Sequence, residues 1–370
     1  MRTLRGNVFM PDGKFCPGEI EITGNRITKV SKIDSSRLNE AEAKVKILPG
    51  LCDIHSHGCV GHDTCDATEE ELVTMLDFQR SIGVTSYCPT TMTYDEDRLT
   101  GVVSRLAGVK TKYNNSVLKG IYLEGPFISV KKKGAQNEKY IIPADYDMTK
   151  RLVDASAGLV KVIAIAPETE GALSAISRIK DIVRVSVAHT DADYDTTCLA
   201  FESGAAQVTH LYNGMSAYNH RNPGVIGAVF DSLDIMAELI CDGIHIHEAV
   251  IRNTFRTLGG DRVILISDSM EATGMESGTY ALGGQTVYVD GKRATLSDGT
   301  LAGSASTLPD CLRHAISIGV PVEQAVWAAT RNPAKAIGIY DETGSIEEGK
   351  LSELIVVDDS YNVLEVITCE

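Results

Sequence analysis

The 370-residue chain is short of positive charge: 35 Lys and Arg stand against 50 Asp and Glu, a formal net charge of −15. That balance argues against nucleic acid and anionic membrane as partners, because both are held first by clustered cations. An anionic small molecule stays open, since a few local basic groups outweigh a distant negative field. The nine cysteines (Cys16, Cys52, Cys59, Cys65, Cys88, Cys198, Cys241, Cys311 and Cys369) form no CxxC pair and no framework spacing. Their odd number fits reduced thiols in a reducing compartment rather than a disulfide scaffold. No apolar run reaches membrane-spanning length, and the opening Met-Arg-Thr-Leu-Arg-Gly lacks the apolar core of a secretory signal. A cytoplasmic location is expected. Low-complexity segments and solenoid-length repeats are absent. What is left is an ordinary globular composition, 43% hydrophobic and 23% charged. It supports a large core, in two or three domains or in one barrel with an appendage.

The chain is organised around Pro49-Gly-Leu-Cys-Asp-Ile-His-Ser-His-Gly58. An apolar run breaks at Pro49-Gly50, resumes as a strand and ends in two histidines. Residues two apart on a strand share a face, so His55 and His57 project together, with Asp53 in the same parity. Two same-side imidazoles can hold a metal ion. Cys52, Cys59 and Cys65 flank them and read as buried, inert thiols.

Residues 1–46 and the last thirty or so read differently from the middle. Both ends carry short alternating β runs, with a hairpin turn at Gly24-Asn25, and predict one small β domain built from both termini. Between them, eight apolar strands alternate with helices. They begin at Leu51, Val84, Leu118, Val160, Val183, Ala206, Ile235 and Arg262. Thr68-Glu-Glu-Glu71 is a capping-box spacing that starts the first helix, which Gly83 stops. Eight such units point to a (β/α)8 TIM-type barrel, over a doubly wound sheet as the alternative. The expected boundaries are 1–48 with 338–370 for a small β-sandwich domain, and 49–337 for the barrel. A hairpin at residues 278–296, with Asp290-Gly291 at a turn, follows the eighth strand and is expected over or beside the barrel mouth.

The strands end, one after another, in groups that bind metal or move protons: His55 and His57, Glu124, His189, His210, Asp242 with His245, and Asp268. Catalytic groups of barrels sit at these C-terminal ends. Histidines with one carboxylate suit Zn²⁺, with Fe²⁺ as the alternative, and such an ion makes hydroxide available near neutral pH. Asp268 then reads as the general base of a metal-assisted hydrolysis.

These motifs resemble the amidohydrolase superfamily and, within it, the N-acetylglucosamine-6-phosphate deacetylases. The carriers are the His55-Ser-His57 stretch, Leu123-Glu-Gly-Pro-Phe127 with Lys133-Gly-Ala135, Ala188-His-Thr, Thr209-His-Leu-Tyr-Asn-Gly-Met215, Asn222-Pro-Gly, Asp242-Gly-Ile-His245, Ser267-Asp268 and Leu301-Ala-Gly-Ser-Ala305. The resemblance implies that Glu124, His189 and His210 hold the principal metal and that His55 and His57 hold a second, so one or two ions per subunit. It implies Asp268 as catalytic acid–base, and Asn213 with the Gly214 N–H as a phosphate-binding turn. His245, Ala135 and Gln136 would be substrate-binding. Arg221 would reach a neighbouring subunit's phosphate, which implies a homodimer acting on a small amino sugar phosphate. Many members carry His where this chain has Gln136, and Asn-Ala where it has Asn213-Gly214. The galactosamine epimer as substrate is the nearest alternative. Cyclic-amide hydrolases generally use a carboxylated lysine where Glu124 stands. A non-catalytic sugar-phosphate sensor would lack a ligand or the base. His62, His247 and His314 have no assigned role.

Overall fold

A computed structural model describes residues 1–113 and 117–368; Cys369 lies outside the described residues. Each of the eight apolar segments forms a strand: β1 (Leu51–Ser56), β2 (Val84–Thr91), β3 (Ile121–Phe127), β4 (Val160–Ile165), β5 (Arg184–Val187), β6 (Gln207–Val208), β7 (Met236–Ile240) and β8 (Val263–Ile266). They pair in chain order, all parallel. Residues just past β8 return to β1. Asp268 donates its N–H to the His55 carbonyl at 3.0 Å, and His57 donates to the Ser269 carbonyl at 2.7 Å. These bonds close the barrel beside the histidine pair. The strands are near-continuous apolar runs because helices cover one face and the barrel interior the other.

Local signals set the helix limits. The helix Glu69–Ser81 begins at Thr68, whose hydroxyl accepts from the Glu71 N–H while the Glu71 carboxylate accepts from Thr68 N–H. It ends before Gly83, whose φ of +95° favours glycine. The helix Glu248–Leu258 is capped by His247, whose Nδ1 accepts from the Ala249 N–H, so that histidine has a structural task.

Both termini build one six-stranded sheet, in the order Val363–Ile367, Leu354–Val357, Lys46–Pro49, Arg2–Phe9, Phe15–Thr23, Arg26–Lys32. The sheet is continuous rather than two separate layers. It curls until its edge strand meets the opposite side, where Ile27 donates to the Lys350 carbonyl and Gly349 donates to that of Ile27. Curling encloses a core that includes Leu4, Val8, Ile20, Ile47 and Ile346, and it leaves that edge paired. The region after β8 forms three antiparallel strands, Gly278–Leu282, Gln285–Asp290 and Arg293–Thr295. Its first turn is Gly283-Gly284 and its second is Gly291-Lys292, one residue on from the expected Asp290-Gly291, because Asp290 still pairs with Arg293. It sits against the barrel mouth: Gln285 Nε2 donates to the Ala135 carbonyl at 2.5 Å.

Candidate active site

Parity alone would set His55, His57 and Asp53 side by side. The register between β1 and β2 slips by one residue between Asp53 and Ser56. A bulge of this kind re-aims side chains. Asp53 is left as a brace, its Oδ1 accepting from the backbone N–H of His55 and of Ser267, and burial pushes its carboxyl up to about 6. The two histidines turn to the barrel mouth.

There they meet Glu124 at the middle of a cluster. Glu124 Oε1 lies 3.1 Å from His189 Nε2 and 2.9 Å from His210 Nε2, and these two nitrogens are 3.2 Å apart. On the other side His55 Nε2 is 3.4 Å from Oε1, and His57 Nε2 is 3.2 Å from Oε2. Glu124 thus belongs to two three-residue sets, one with His189 and His210, the other with His55 and His57. Second partners decide what the rings present. His189 Nδ1 faces the Lys132 carbonyl at 2.8 Å, and His210 Nδ1 faces the Asn213 carbonyl at 3.1 Å. A carbonyl only accepts, so each Nδ1 carries a proton, and a ring with no second proton turns a lone pair toward Glu124. Two lone pairs and a carboxylate around one point repel one another unless a cation sits between them. The residues therefore fit a divalent ion. The same demand for positive charge around the carboxylates shows in titration. Burial opposes charge here, yet His189 and His55 hold Glu124 well below the usual carboxylate range. Against the same burial, Asp268 and Glu124 push His57 up to about 9.

His189, His210 and Asp268 have φ of 42°, 27° and 48°, the left-handed region that side chains seldom adopt. Strain at three strand ends in one place is characteristic of functional sites. Asp268 Oδ1 lies 3.4 Å from His57 Nε2 and 3.6 Å from His55 Nε2. Burial opposes its ionisation, but the two imidazoles win and hold it below its ordinary value. His245 Nδ1 is 2.8 Å from Asp242 Oδ2, which leaves Nε2 for the cavity. Against its burial, that contact draws Asp242 down to about 2.

His57, Glu124, His189, His210, His245 and Asp268 line a cavity of about 300 Å³, the size of a small polar ligand, with His55 and Asp242 behind them. Asn213, Gly214, Ala135 and Gln136 line it too, and Met92 and Leu282 supply apolar wall. Gly214 has φ +62°, and a Cβ there would fall 3.0 Å from His189 Nδ1. Glycine lets this turn pass close under the two ring ligands.

The Amidohydrolase family profile matches residues 47–368. The chain belongs to the amidohydrolase family. The N-acetylglucosamine-6-phosphate deacetylase of Bacillus subtilis (strain 168) is 37% identical over 94% of this chain and 90% of its own length. The N-acetylgalactosamine-6-phosphate deacetylase of Escherichia coli O157:H7 is 31% identical over 94% and 92%. Among solved structures, a Mycobacterium smegmatis N-acetyl-D-glucosamine-6-phosphate deacetylase variant in complex with N-acetyl-D-glucosamine-6-phosphate superposes with a TM-score of 0.92. It is 31% identical and covers 99% of this chain and 97% of its own.

This amidohydrolase departs from the sequence reading at two points, Gln136 and Glu238. Gln136 lines the cavity, but protein holds both ends of its amide: Nε2 donates to Glu124 Oε2 at 2.6 Å, and Oε1 accepts from the Thr93 N–H at 2.7 Å. Arg221 is exposed on the loop before the helix Gly224–Asp231 and does not line the cavity of its own chain. Glu238, in the middle of β7, was not foreseen; it is fully buried, 2.9 Å from His55 Nδ1. The one available signal was a carboxylate inside the apolar run Met236–Ile240. Cys52, Cys59 and Cys65 are buried and join neither ligand set, and burial pushes Cys59 up to about 12. Among the described residues no helix is long and apolar enough to cross a membrane.

Proposed function

We propose that this amidohydrolase removes the acetyl group of N-acetyl-D-glucosamine 6-phosphate by metal-dependent hydrolysis, giving D-glucosamine 6-phosphate and acetate. One observation carries the reading. Glu124, His189 and His210 converge within 3.2 Å of one another, with Asp268 beside them, in a cavity of about 300 Å³. The gluco sugar is supported by the 37% identity of the Bacillus subtilis glucosamine-type enzyme against 31% for the galactosamine enzyme, while the glucosamine-type relatives of Bos taurus and Mus musculus stand at 30%.

We assign the principal ion to Glu124, His189 and His210, and a second to His55, His57 and Glu124. The donor set suits Zn²⁺ best and Fe²⁺ next. When bound, such an ion supplies Lewis-acid polarisation of the amide carbonyl and a lowered water pKa. Asp268, ionised and aimed into the cavity, takes a proton from the attacking water. It returns that proton to the sugar nitrogen as the C–N bond breaks. His245, whose Nδ1–H donates to the Asp242 carboxylate, presents Nε2 to a substrate hydroxyl. The Asn213 side chain and the Gly214 N–H hold the phosphate, and Arg221 of a neighbouring subunit adds a planar guanidinium, so the working unit is a homodimer. Ala135 flanks the sugar, while Gln136 serves Glu124. Residues 1–48 with 338–370 form the small domain, residues 49–337 form the catalytic barrel, and the enzyme works in the cytoplasm.

The test is acetate release from N-acetylglucosamine 6-phosphate beside the free sugar and the galacto 6-phosphate, with Zn²⁺ or Fe²⁺ added. Turnover confined to the phosphorylated gluco sugar is expected. Equal turnover of the free sugar would remove the phosphate assignment, and preference for the galacto sugar would replace the substrate.

A further inference from the structure

We propose that Glu238 is a positioning residue that sets the tautomer of His55 and thereby creates the second cation position beside His57 and Glu124. The proposal rests on the reading that these three residues hold an ion. Glu238 does not line the cavity; it lies inside the barrel, with no exposed surface. A buried carboxylate is costly unless every lone pair is met, and this one is met from three sides. Gln207 Nε2 donates to Oε1 at 2.5 Å, while His55 Nδ1 at 2.9 Å and the His210 N–H at 3.3 Å face Oε2.

Direction is imposed from the far end of this chain of contacts. Arg184, at the start of β5, donates from Nε to Gln207 Oε1 at 2.8 Å. A guanidinium can only donate, so Gln207 must turn its oxygen to Arg184 and its NH₂ to Glu238. Glu238 then accepts on both oxygens, and His55 must carry its proton on Nδ1. Its Nε2 is left as a bare lone pair, fully buried and without a hydrogen-bond partner among the described residues, 3.4 Å from Glu124 Oε1. A lone pair held against a carboxylate is what a metal ligand needs and what an ordinary core histidine avoids.

Replacing Glu238 by Gln changes one acceptor into a donor. The NH₂ of Gln207 cannot turn away without breaking its bond to Arg184. The new amide keeps the short Gln207 contact by giving it its oxygen, gives up the longer 3.3 Å contact with the His210 N–H, and turns its NH₂ to His55, which moves the ring proton to Nε2 and blocks ligation. The double exchange Gln207→Glu with Glu238→Gln restores the direction. The carboxylate at position 207 accepts from Arg184 and from the amide at 238, whose oxygen is then free for His55 Nδ1–H. The net charge is unchanged.

The experiment is elemental analysis of the full chain after dialysis against buffered Zn²⁺ over a range of free concentrations, with the unfolding midpoint as a check on folding. Two ions are expected for the parent chain and one for His55→Gln. Glu238→Gln should keep the first ion and bind the second about 10–100-fold more weakly. The double exchange should recover two. If Glu238→Gln binds both ions as tightly as the parent, the positioning role is overturned while the ion assignment stands. A parent chain with one ion, unaffected by His55→Gln, overturns the assignment and the proposal together. Should Glu238→Gln fail to fold, the double exchange decides alone: two ions support the directional argument, and one ion overturns it.

Discussion

Leucine at position 136 removes two buried hydrogen bonds while keeping most of the side-chain volume. Gln136 is 2% exposed, so water does not replace what is lost. The Thr93 N–H, now donating to Gln136 Oε1 at 2.7 Å, would be left buried and unpaired. A buried orphan of this kind costs about 1–3 kcal/mol. Glu124 Oε2 loses its 2.6 Å donor but keeps His57 at 3.2 Å, so its share is smaller. Together the loss comes to about 2–4 kcal/mol. For a chain of this length that lowers the unfolding midpoint by about 3–5 °C. The same bond holds Glu124 in the rotamer that turns Oε1 to His189 and His210. Loss of such a support typically costs about 10–100-fold in metal affinity or turnover. Gln136→Leu is therefore expected to lower kcat and metal content with KM little changed. Thermal unfolding, steady-state acetate release and elemental analysis measure all three. If Gln136 instead bonds the sugar, KM rises at constant kcat and the midpoint stays put. That outcome refutes the reasoning.

Three further predictions follow from the same geometry. Asp268→Asn keeps the fold but is expected to lower kcat by about 10²–10⁴-fold, the range for a lost general acid–base. A sensor protein would bind sugar phosphate unchanged and show no activity to lose. Arg221→Ala should raise KM for the phosphorylated sugar alone. Mixing its subunits with those of Asp268→Asn should regenerate one intact site per heterodimer; no recovery on mixing would place Arg221 outside the partner's site. The Asp242–His245 pair is sensitive to acid. Burial opposes the Asp242 charge, but His245 draws the carboxyl down to about 2 from 3.8. A depressed carboxyl stabilises the fold above its unfolded pKa, and that contribution is lost as pH falls through the folded value, here from about 4 toward 2. In urea unfolding of chelated protein, Asp242→Asn should be less stable than the parent by about 2 kcal/mol at pH 6. The gap should narrow below pH 4; a gap independent of pH would assign the loss to packing.

The eight strands, the capped first helix and the polar strand ends were legible in the sequence because each depends on near neighbours. Apolar runs, the Thr68/Glu71 box and the Pro49-Gly50 break act over a few residues, and strand ends of a parallel barrel must open on one face. Side-chain chemistry at those ends then pointed to a metal and a base. What the tertiary structure alone decided are contacts between residues far apart in the chain. His55 and Glu238 are 183 residues apart, and nothing local to either predicts that one directs the other's proton. The bulge that separates Asp53 from the histidines comes from the pairing of β1 with β2 and is invisible in the period-two pattern of β1 alone. Gln136 reads as a ligand contact until the fold brings Thr93 and Glu124 to the two ends of its amide. Residue type and period are properties of a segment; hydrogen-bond direction belongs to the closed barrel, because it depends on which donor the opposite strand presents.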